Sequence, residues 1–283
     1  MNRRRKDFSL WTQLFRALAA VLTMALANTA VAQGTMDKIL SDKKVSICWV
    51  SSPPQEMKDP KSGKVTGYFV DAARHMFEQI KVEPVFMETT WANFVATLQS
   101  GQADFCIASS FASIKRAAVV DFTNPILYLG RSAIVRKDEE RFKSLSDLNR
   151  EDITIAVLTG SRSQEFVTTN LPKAKVLSIG SSDPSAPFLA VTAGRADAGV
   201  NDAWAARRFA QNQPGVKDLF GDEPFNVSPM AWTVKKGNTD LLNFLNTSLE
   251  VMLTSGEMEK MAGNYPNAGR YKRVIRLVPF ATE

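Results

Sequence analysis

The chain has 283 residues, 45% of them hydrophobic and 23% charged, enough for about two domains of roughly 150 residues each and inconsistent with a mainly disordered protein. Lysine and arginine number 35 against 29 acids, a net charge of +6, which raises nucleic acid or an acidic surface as a partner. The placement of the charge removes that suggestion: Arg3, Arg4, Arg5, Lys6 and Arg16 stand against Asp7 alone, ahead of the uncharged apolar run Ala17 to Ala27.

That run is 11 residues long, short of the roughly 18 to 20 that span a bilayer. Ala30-Val31-Ala32 supplies the small-x-small pattern of a cleavage site. Residues 1–32 therefore read as a signal peptide cut after Ala32, and the protein as exported to the periplasm. Removing them takes away five bases and one acid, leaving 30 against 28 and a net charge of +2, so no nucleic-acid partner is expected.

Along the remaining chain, Val45 to Trp49 reads as a short buried strand, and Pro53-Pro54 with the segment Lys58 to Gly63 as loop and turn. Val70, Ala73, Phe77 and Ile80 recur at spacings of three and four, the mark of an amphipathic helix. Val82 to Met87 is a second strand. Phe94, Val95 and Leu98 make another helical stripe closed by Gly101, and Asp104 to Ala108 the next strand. Ser132 to Arg136 reads as a strand running into the charged stretch Lys137 to Arg141, with strands Ile153 to Val157, Lys175 to Ile179 and Asp197 to Asn201 beyond it. Asn226 to Val234 is a further extended run, and Leu242, Leu245, Leu249 and Met252 mark a long amphipathic helix. The segment Asn264 to Glu283, with Arg270, Lys272, Arg273 and Arg276 among apolar residues, reads as a packed, half-exposed tail. Strands alternating with helices imply an α/β protein with parallel pairing.

One segment is written twice. Leu98-Gln-Ser-Gly101-Gln-Ala-Asp104-Phe-Cys-Ile-Ala108 is echoed 93 residues later by Val191-Thr-Ala-Gly194-Arg-Ala-Asp197-Ala-Gly-Val-Asn201. Two occurrences at that distance point to two lobes of similar build rather than a solenoid. Residues 33–136 are assigned to lobe 1, 137–228 to lobe 2, and 229–283 to a return into lobe 1 with a C-terminal helix and tail.

Catalytic signatures are absent: no GxGxxG, P-loop, GxSxG or HExxH occurs, and Ser41-x-x-Lys44 lacks the companion motifs of a penicillin-binding site. His75, the sole histidine, falls on the polar side of its helix, which leaves no His-based triad and assigns it to the surface. Cys48 and Cys106, the only cysteines, form no CxxC and no metal-ligand cluster. A disulfide between them and a pair of buried thiols are both compatible with the sequence. No cofactor, no metal and no enzymatic activity are expected.

Binding signatures are stronger. Ser109 to Arg116 follows a strand end, with Ser113 placed as a helix N-cap and Arg116 one turn in. Leu158-Thr-Gly160-Ser161-Arg162-Ser-Gln-Glu165 repeats the arrangement in the second lobe, and Asp202 closes a strand there. Ligands of open α/β sheets sit at strand C-terminal ends, where helix N-termini offer free amide donors. Arginine and helix amides for a carboxylate, with an aspartate for an ammonium, make a clamp for an amino acid.

From about Val45 to Gly263 the chain resembles the bacterial extracellular solute-binding proteins of family 3, the polar amino-acid receptors of ABC importers. The resemblance is carried by Gly67-Tyr-Phe-Val-Asp71, Trp91 with Leu98-Gln-Ser-Gly101, Ser113-x-x-Arg116, Val120-Asp-Phe-Thr-Asn-Pro125, Ser144-Leu-Ser-Asp-Leu148, Gly160-Ser161, Gly194-Arg-Ala-Asp197 and Ser255-Gly-Glu257. It implies a two-lobed periplasmic-binding-protein fold of type II with the ligand cleft between the lobes, a monomeric receptor, an amino acid as ligand and a membrane ABC permease as partner. Carried over by residue, Arg116 pairs with the ligand α-carboxylate, Ser109 and the segment Ser161-Arg162 add amides or hydroxyls, Asp202 receives the α-ammonium, and Trp91 lays its ring against the ligand. The family also resembles periplasmic cyclohexadienyl or arogenate dehydratases, an enzymatic alternative that needs a further acid in the cleft.

The chain departs from the family pattern in the segment Ser52-Pro53-Pro54-Gln55, which lacks the usual aromatics, and at Phe111 and Phe69, which replace a hydroxyl residue and an aspartate. With Trp49 at the pocket edge, Trp91, Trp49 and Phe111 around one crevice predict an apolar, aromatic or long amphipathic ligand side chain rather than an acidic one.

Overall fold

Apolar runs of five or six residues bounded by turn residues become the strands of one sheet, and the helical stripes cover its faces. The computed structural model describes residues 34–221 and 223–265. The expected signal peptide and the tail beyond Tyr265 lie outside the described residues. The strands relevant to the site are β1 (Lys44–Trp49), β4 (Glu83–Glu88), β5 (Phe105–Phe111), β7 (Leu127–Arg136), β8 (Thr154–Leu158), β9 (Lys175–Ile179), β10 (Ala198–Asp202) and β12 (Phe225–Lys235), with β2 (Met57–Lys58), β3 (Val65–Thr66), β6 (Val120–Phe122) and β11 (Val216–Asp218) as short additions. Their order is β4-β1-β5-β12-β7-β10-β8-β9.

The two halves of this order are alike. β1 lies parallel between β4 and β5, and β8 lies parallel between β9 and β10. Between the halves, β12 and β7 run antiparallel to each other and to their outer neighbours. These two strands carry the chain from one hydrophobic core to the other. Leu127 and Leu129 at the start of β7 belong to the core of the first lobe, while Ala133 and Val135 farther along belong to that of the second. β12 runs the other way, from Phe225 against the second core to Trp232 and Val234 in the first.

The repeated segment is repeated in three dimensions. In each copy a helix ends at a glycine with positive φ, +74° at Gly101 and +69° at Gly194, a conformation open to glycine at little steric cost. The aspartate that follows ties the emerging strand to its neighbour: Asp104 accepts from the amide of Ser46 at 2.7 Å, and Asp197 from that of Thr154 at 2.9 Å. The echo in the sequence is thus one strand-starting device used once per lobe.

Helix placement follows the apolar spacing. Tyr68–Glu78 buries Val70, Ala73 and Phe77, and the helix Thr239–Ser255 buries Leu241, Leu245, Leu249 and Met252 against the first lobe. Ile80 falls just beyond its helix, and Leu242 is only partly buried because the buried stripe runs one residue earlier, through Leu241. His75 sits at the surface 3.4 Å from Glu257. Cys48 and Cys106 are register partners on β1 and β5, buried and unbridged. Among the described residues no helix is long and apolar enough to cross a membrane.

The charged stretch after β7 is not a loose connector. Arg141 donates to both carboxyl oxygens of Glu139, through Nε at 2.9 and 3.1 Å and Nη2 at 2.6 Å, and reaches Asp197 at 2.8 Å. These hydrogen bonds from Arg141 hold the Glu139 carboxyl down to about 2. An unfolded glutamate titrates at about 4.3, so the stabilisation from Glu139 is complete above that pH and is lost as pH falls toward 2. Thermal midpoints of wild type and Glu139→Gln are expected to differ by a few degrees at pH 7 and to converge between about pH 4 and pH 2. A gap that stays constant to pH 2 would show that the pair contributes nothing specific.

Candidate functional site

The cleft forms where strand ends from both lobes meet helix starts. β5 does not stop at Ala108; it continues to Phe111, so Ser109 and Phe111 alternate with Ser110 on a buried strand. Ser113 then caps a single helical turn, Ile114–Ala117, by accepting from the Arg116 amide at 3.3 Å. That turn aims the Arg116 side chain back along the strand end. In the second lobe Ser161 caps the helix Arg162–Asn170 by accepting from Gln164, and Asp202 caps the helix Ala203–Asn212 by accepting from Ala205 at 2.8 Å.

One cavity joins these elements. Trp91, Ser109, Phe111 and Arg116 line it from the first lobe, and Ser161, Arg162 and Asp202 from the second. Arg116 spans the gap: Nη1 donates to Ser110 Oγ and the Phe111 carbonyl, both at 3.2 Å, while Nη2 donates to the Gly160 carbonyl of the other lobe at 2.9 Å. Its guanidinium also stands 5.2 Å from the Phe94 ring. Burial first, and the Arg162 charge second, push Arg116 down to about 10, so it stays cationic at neutral pH. Burial pushes Asp202 up from its ordinary value, opposed by the Ala205 amide and by Arg208 and Arg131.

Some expected residues are engaged elsewhere. The Ser109 hydroxyl donates to both Glu56 oxygens at 3.1 and 3.2 Å. Glu56 is fully buried, and burial pushes its carboxyl well up, toward the neutral form. The Ser161 hydroxyl and amide both donate to the Leu158 carbonyl, at 2.7 and 3.2 Å, so both of that residue's donors are engaged. Trp49, expected beside Trp91 and Phe111, is not among the residues lining this cavity: it is buried in the first lobe and borders a separate hollow at the cleft mouth. Phe69 also turns inward, 5.7 Å from Trp232 in the core. Both are strand-end or helix-start residues whose large apolar side chains gain more by burial in their own lobe than at a polar cleft.

The structure adds residues that the sequence reading missed. Arg131 on β7 is completely buried, lies opposite Asp202 in the β7–β10 register, and stacks 4.3 Å from the centre of the Phe111 ring. Its signal in the sequence is a lone charge inside the apolar run from Leu127 to Val135. Glu165 pairs with Arg162 at 2.6 Å and reaches across the cleft to Lys115 at 3.9 Å. Arg208 of the second lobe donates to the Pro53 carbonyl of the first at 2.8 Å. Among the described residues no group of His, Cys, Asp or Glu is placed to hold a metal ion.

A two-lobed sheet crossed by two strands, with the cleft at the crossing, agrees with the family model that matches residues 45–268, that of the bacterial extracellular solute-binding proteins, family 3. The chain belongs to this family. Among its relatives, cyclohexadienyl dehydratase of Pseudomonas aeruginosa is 24% identical over 224 residues, covering 79% of this chain and 83% of the relative. The ABC transporter glutamine-binding protein GlnH of Bacillus subtilis is 28% identical over 208 residues, covering 72% and 74%. Among solved structures, an ancestral amino acid-binding protein described as a precursor of cyclohexadienyl dehydratase is similar with a TM-score of 0.73 at 29% identity, covering 82% of this chain and 99% of that one. The fold of this family member is the type II periplasmic-binding-protein fold.

Closure of the cleft rests on a glycine. Gly160 has φ +75°, and a Cβ there would lie 2.6 Å from Ala92 Cα and 2.9 Å from the Trp91 carbonyl carbon, backbone of the opposite lobe. Gly160→Ala is expected to hold the lobes apart and enlarge the radius of gyration in small-angle scattering. Gly194→Ala supplies the control, having a similar φ but nothing within 4 Å. It is expected to cost about 1–2 kcal/mol of stability from left-handed strain alone, with no change in radius. Equal radii for all three proteins would mean that Gly160 does not set the closed contact.

Proposed function

We propose that this protein is an exported receptor that captures an amino acid or a close analogue between its lobes and presents the closed form to a membrane ABC permease. The observation that carries the reading is that Arg116 and Asp202, 86 positions apart, line one cavity from opposite lobes. A guanidinium binds a carboxylate through paired charge-assisted hydrogen bonds, and a carboxylate receives an ammonium. A zwitterion that touches both therefore binds the closed form better than the open one, and that difference in affinity is what drives closure. Trp91 supplies an apolar wall. The names of the relatives support this ligand class, since glutamine-binding and ancestral amino acid-binding proteins are among them. The N-terminal basic and apolar layout of residues 1–32 supports export.

The clamp also fixes a pH dependence. Asp202 must be ionised to hold an ammonium, and burial raises its titration above that of an ordinary aspartate. Affinity is thus expected to decline on acidification at a higher pH than an exposed aspartate would give.

Isothermal calorimetry on protein stripped of ligand by unfolding and refolding tests the assignment. Arg116→Ala and Asp202→Ala are each expected to lose at least about 30-fold in affinity for the amino acid that wild type binds, the scale of breaking a buried charge pair. Near-wild-type affinity in either variant removes that residue from the clamp. Incubation of wild type with prephenate or arogenate is expected to yield no product; turnover would instead place the chain with its dehydratase relative.

A further inference from the structure

The cleft carries hydrogen-bond donors that the amino-acid clamp does not use. Arg131 is fully buried, and while its Nη1 donates to the Asn226 carbonyl at 2.7 Å and to the Asn226 side chain, its Nε and Nη2 have no partner. The Nε of Arg162, which lines the cavity, is likewise buried without one. Buried donors are satisfied as a rule, and leaving a charged one unmade is costly. Arg131 is not itself among the residues that line the cavity but sits directly against two that are. As the register partner of Asp202 it projects on the same face of the sheet, and its guanidinium lies against Phe111, a lining residue.

The charges point the same way. Arg116, Arg131 and Arg162 stand against Asp202 and Glu165, three cations to two anions, while at the rim Lys115, Lys58 and Arg208 stand beside Glu88 and Asp183. Glu165 is already matched to Arg162, and Glu56 lies behind Ser109, bonded to its hydroxyl. A zwitterion leaves the excess positive charge in place. A ligand with one further carboxylate reduces it and supplies an acceptor for the orphaned N–H groups.

We infer that the cleft selects an amino acid with an acidic side chain, whose distal carboxylate is received by Arg131 with Arg162. This rests on the amino-acid reading above and deepens it, and it reverses the expectation of an apolar or aromatic side chain. Phe111 and Trp91 are then walls along the ligand's methylene chain. Phe111 has a second task, holding the guanidinium of Arg131 by stacking.

Thermal shift and calorimetry on refolded wild type, with L-glutamate against L-glutamine, L-aspartate against L-asparagine, and L-2-aminoadipate, read the charge of the side chain at nearly constant shape. At least one acid is expected to bind about 30-fold or more tightly than its amide. In Arg131→Met that ratio is expected to fall to within about threefold of unity, and in Arg162→Gln to fall partway, because the substitutions act on the difference between acid and amide. A merely structural role for Arg131 would weaken acid and amide alike and leave the ratio unchanged, which would overturn the assignment. Amides binding as well as acids to wild type, or no acid in the panel binding, overturns it without any variant. Glutarate separates this inference from the clamp. Should the clamp be wrong, glutarate binds like L-glutamate while the preference for acid over amide persists; should only this inference be wrong, neutral amino acids bind and the preference is gone.

Discussion

The antiparallel contact between β7 and β12 governs the molecule, because the chain crosses between the two hydrophobic cores on these two strands. Each strand is anchored at both ends by apolar side chains in different lobes, so the cleft must open directly over their shared middle. The pair is tightly seated there. A Cβ at Gly130 would lie 2.5 Å from the Pro224 side chain, and Arg131 on β7 bonds the Asn226 carbonyl on β12. A charged residue bonded to the second crossing strand and stacked on Phe111, which lines the cavity, links the crossing strands physically to the cavity wall.

The cleft itself is assembled from elements that first serve their own local structure. Ser113, Ser161 and Asp202 each satisfy an otherwise orphaned amide at a helix start. Capping fixes the direction of each helix and, with it, the positions of Arg116, Arg162 and the second oxygen of Asp202. The same economy explains the Ser109 hydroxyl, which is turned to a buried carboxyl rather than to the cavity. What remains for a ligand is a set of cationic donors larger than the set of anions facing them. The lobes are linked across the cleft by Arg116 to Gly160 and Arg208 to Pro53, polar contacts of the kind that form and break with modest free-energy change.

Much of the fold was legible because its signals are local. Apolar runs marked β1, β4, β8 and β9 to within a residue or so, and glycines at 101 and 194 marked the helix ends. The candidate site was legible where it reused capping chemistry, at Ser113 to Arg116, at Gly160-Ser161-Arg162 and at Asp202. It was not legible where identity and position pull apart. Trp49 has the composition of a pocket wall but is buried in its own lobe, since side-chain direction at a strand end is not fixed by composition. Arg131 has the composition of a surface residue but is buried, since only the neighbouring strands show that a charge there has Phe111, Asn226 and Asp202 around it.

By itself the sequence determined the α/β class, the two-lobe repeat, the segments that start each helix at the cleft, and the family. These follow from periodicity, capping and turn chemistry, which act over a few residues. Only the tertiary structure decided which side chains share the cavity and how their charges sum. Those depend on the register of β7 with β10, on Arg116 meeting Gly160 across the cleft, and on which donors burial leaves without partners. Electrostatic balance in a buried cleft is a property of groups brought together from distant positions, and no window of the chain contains it.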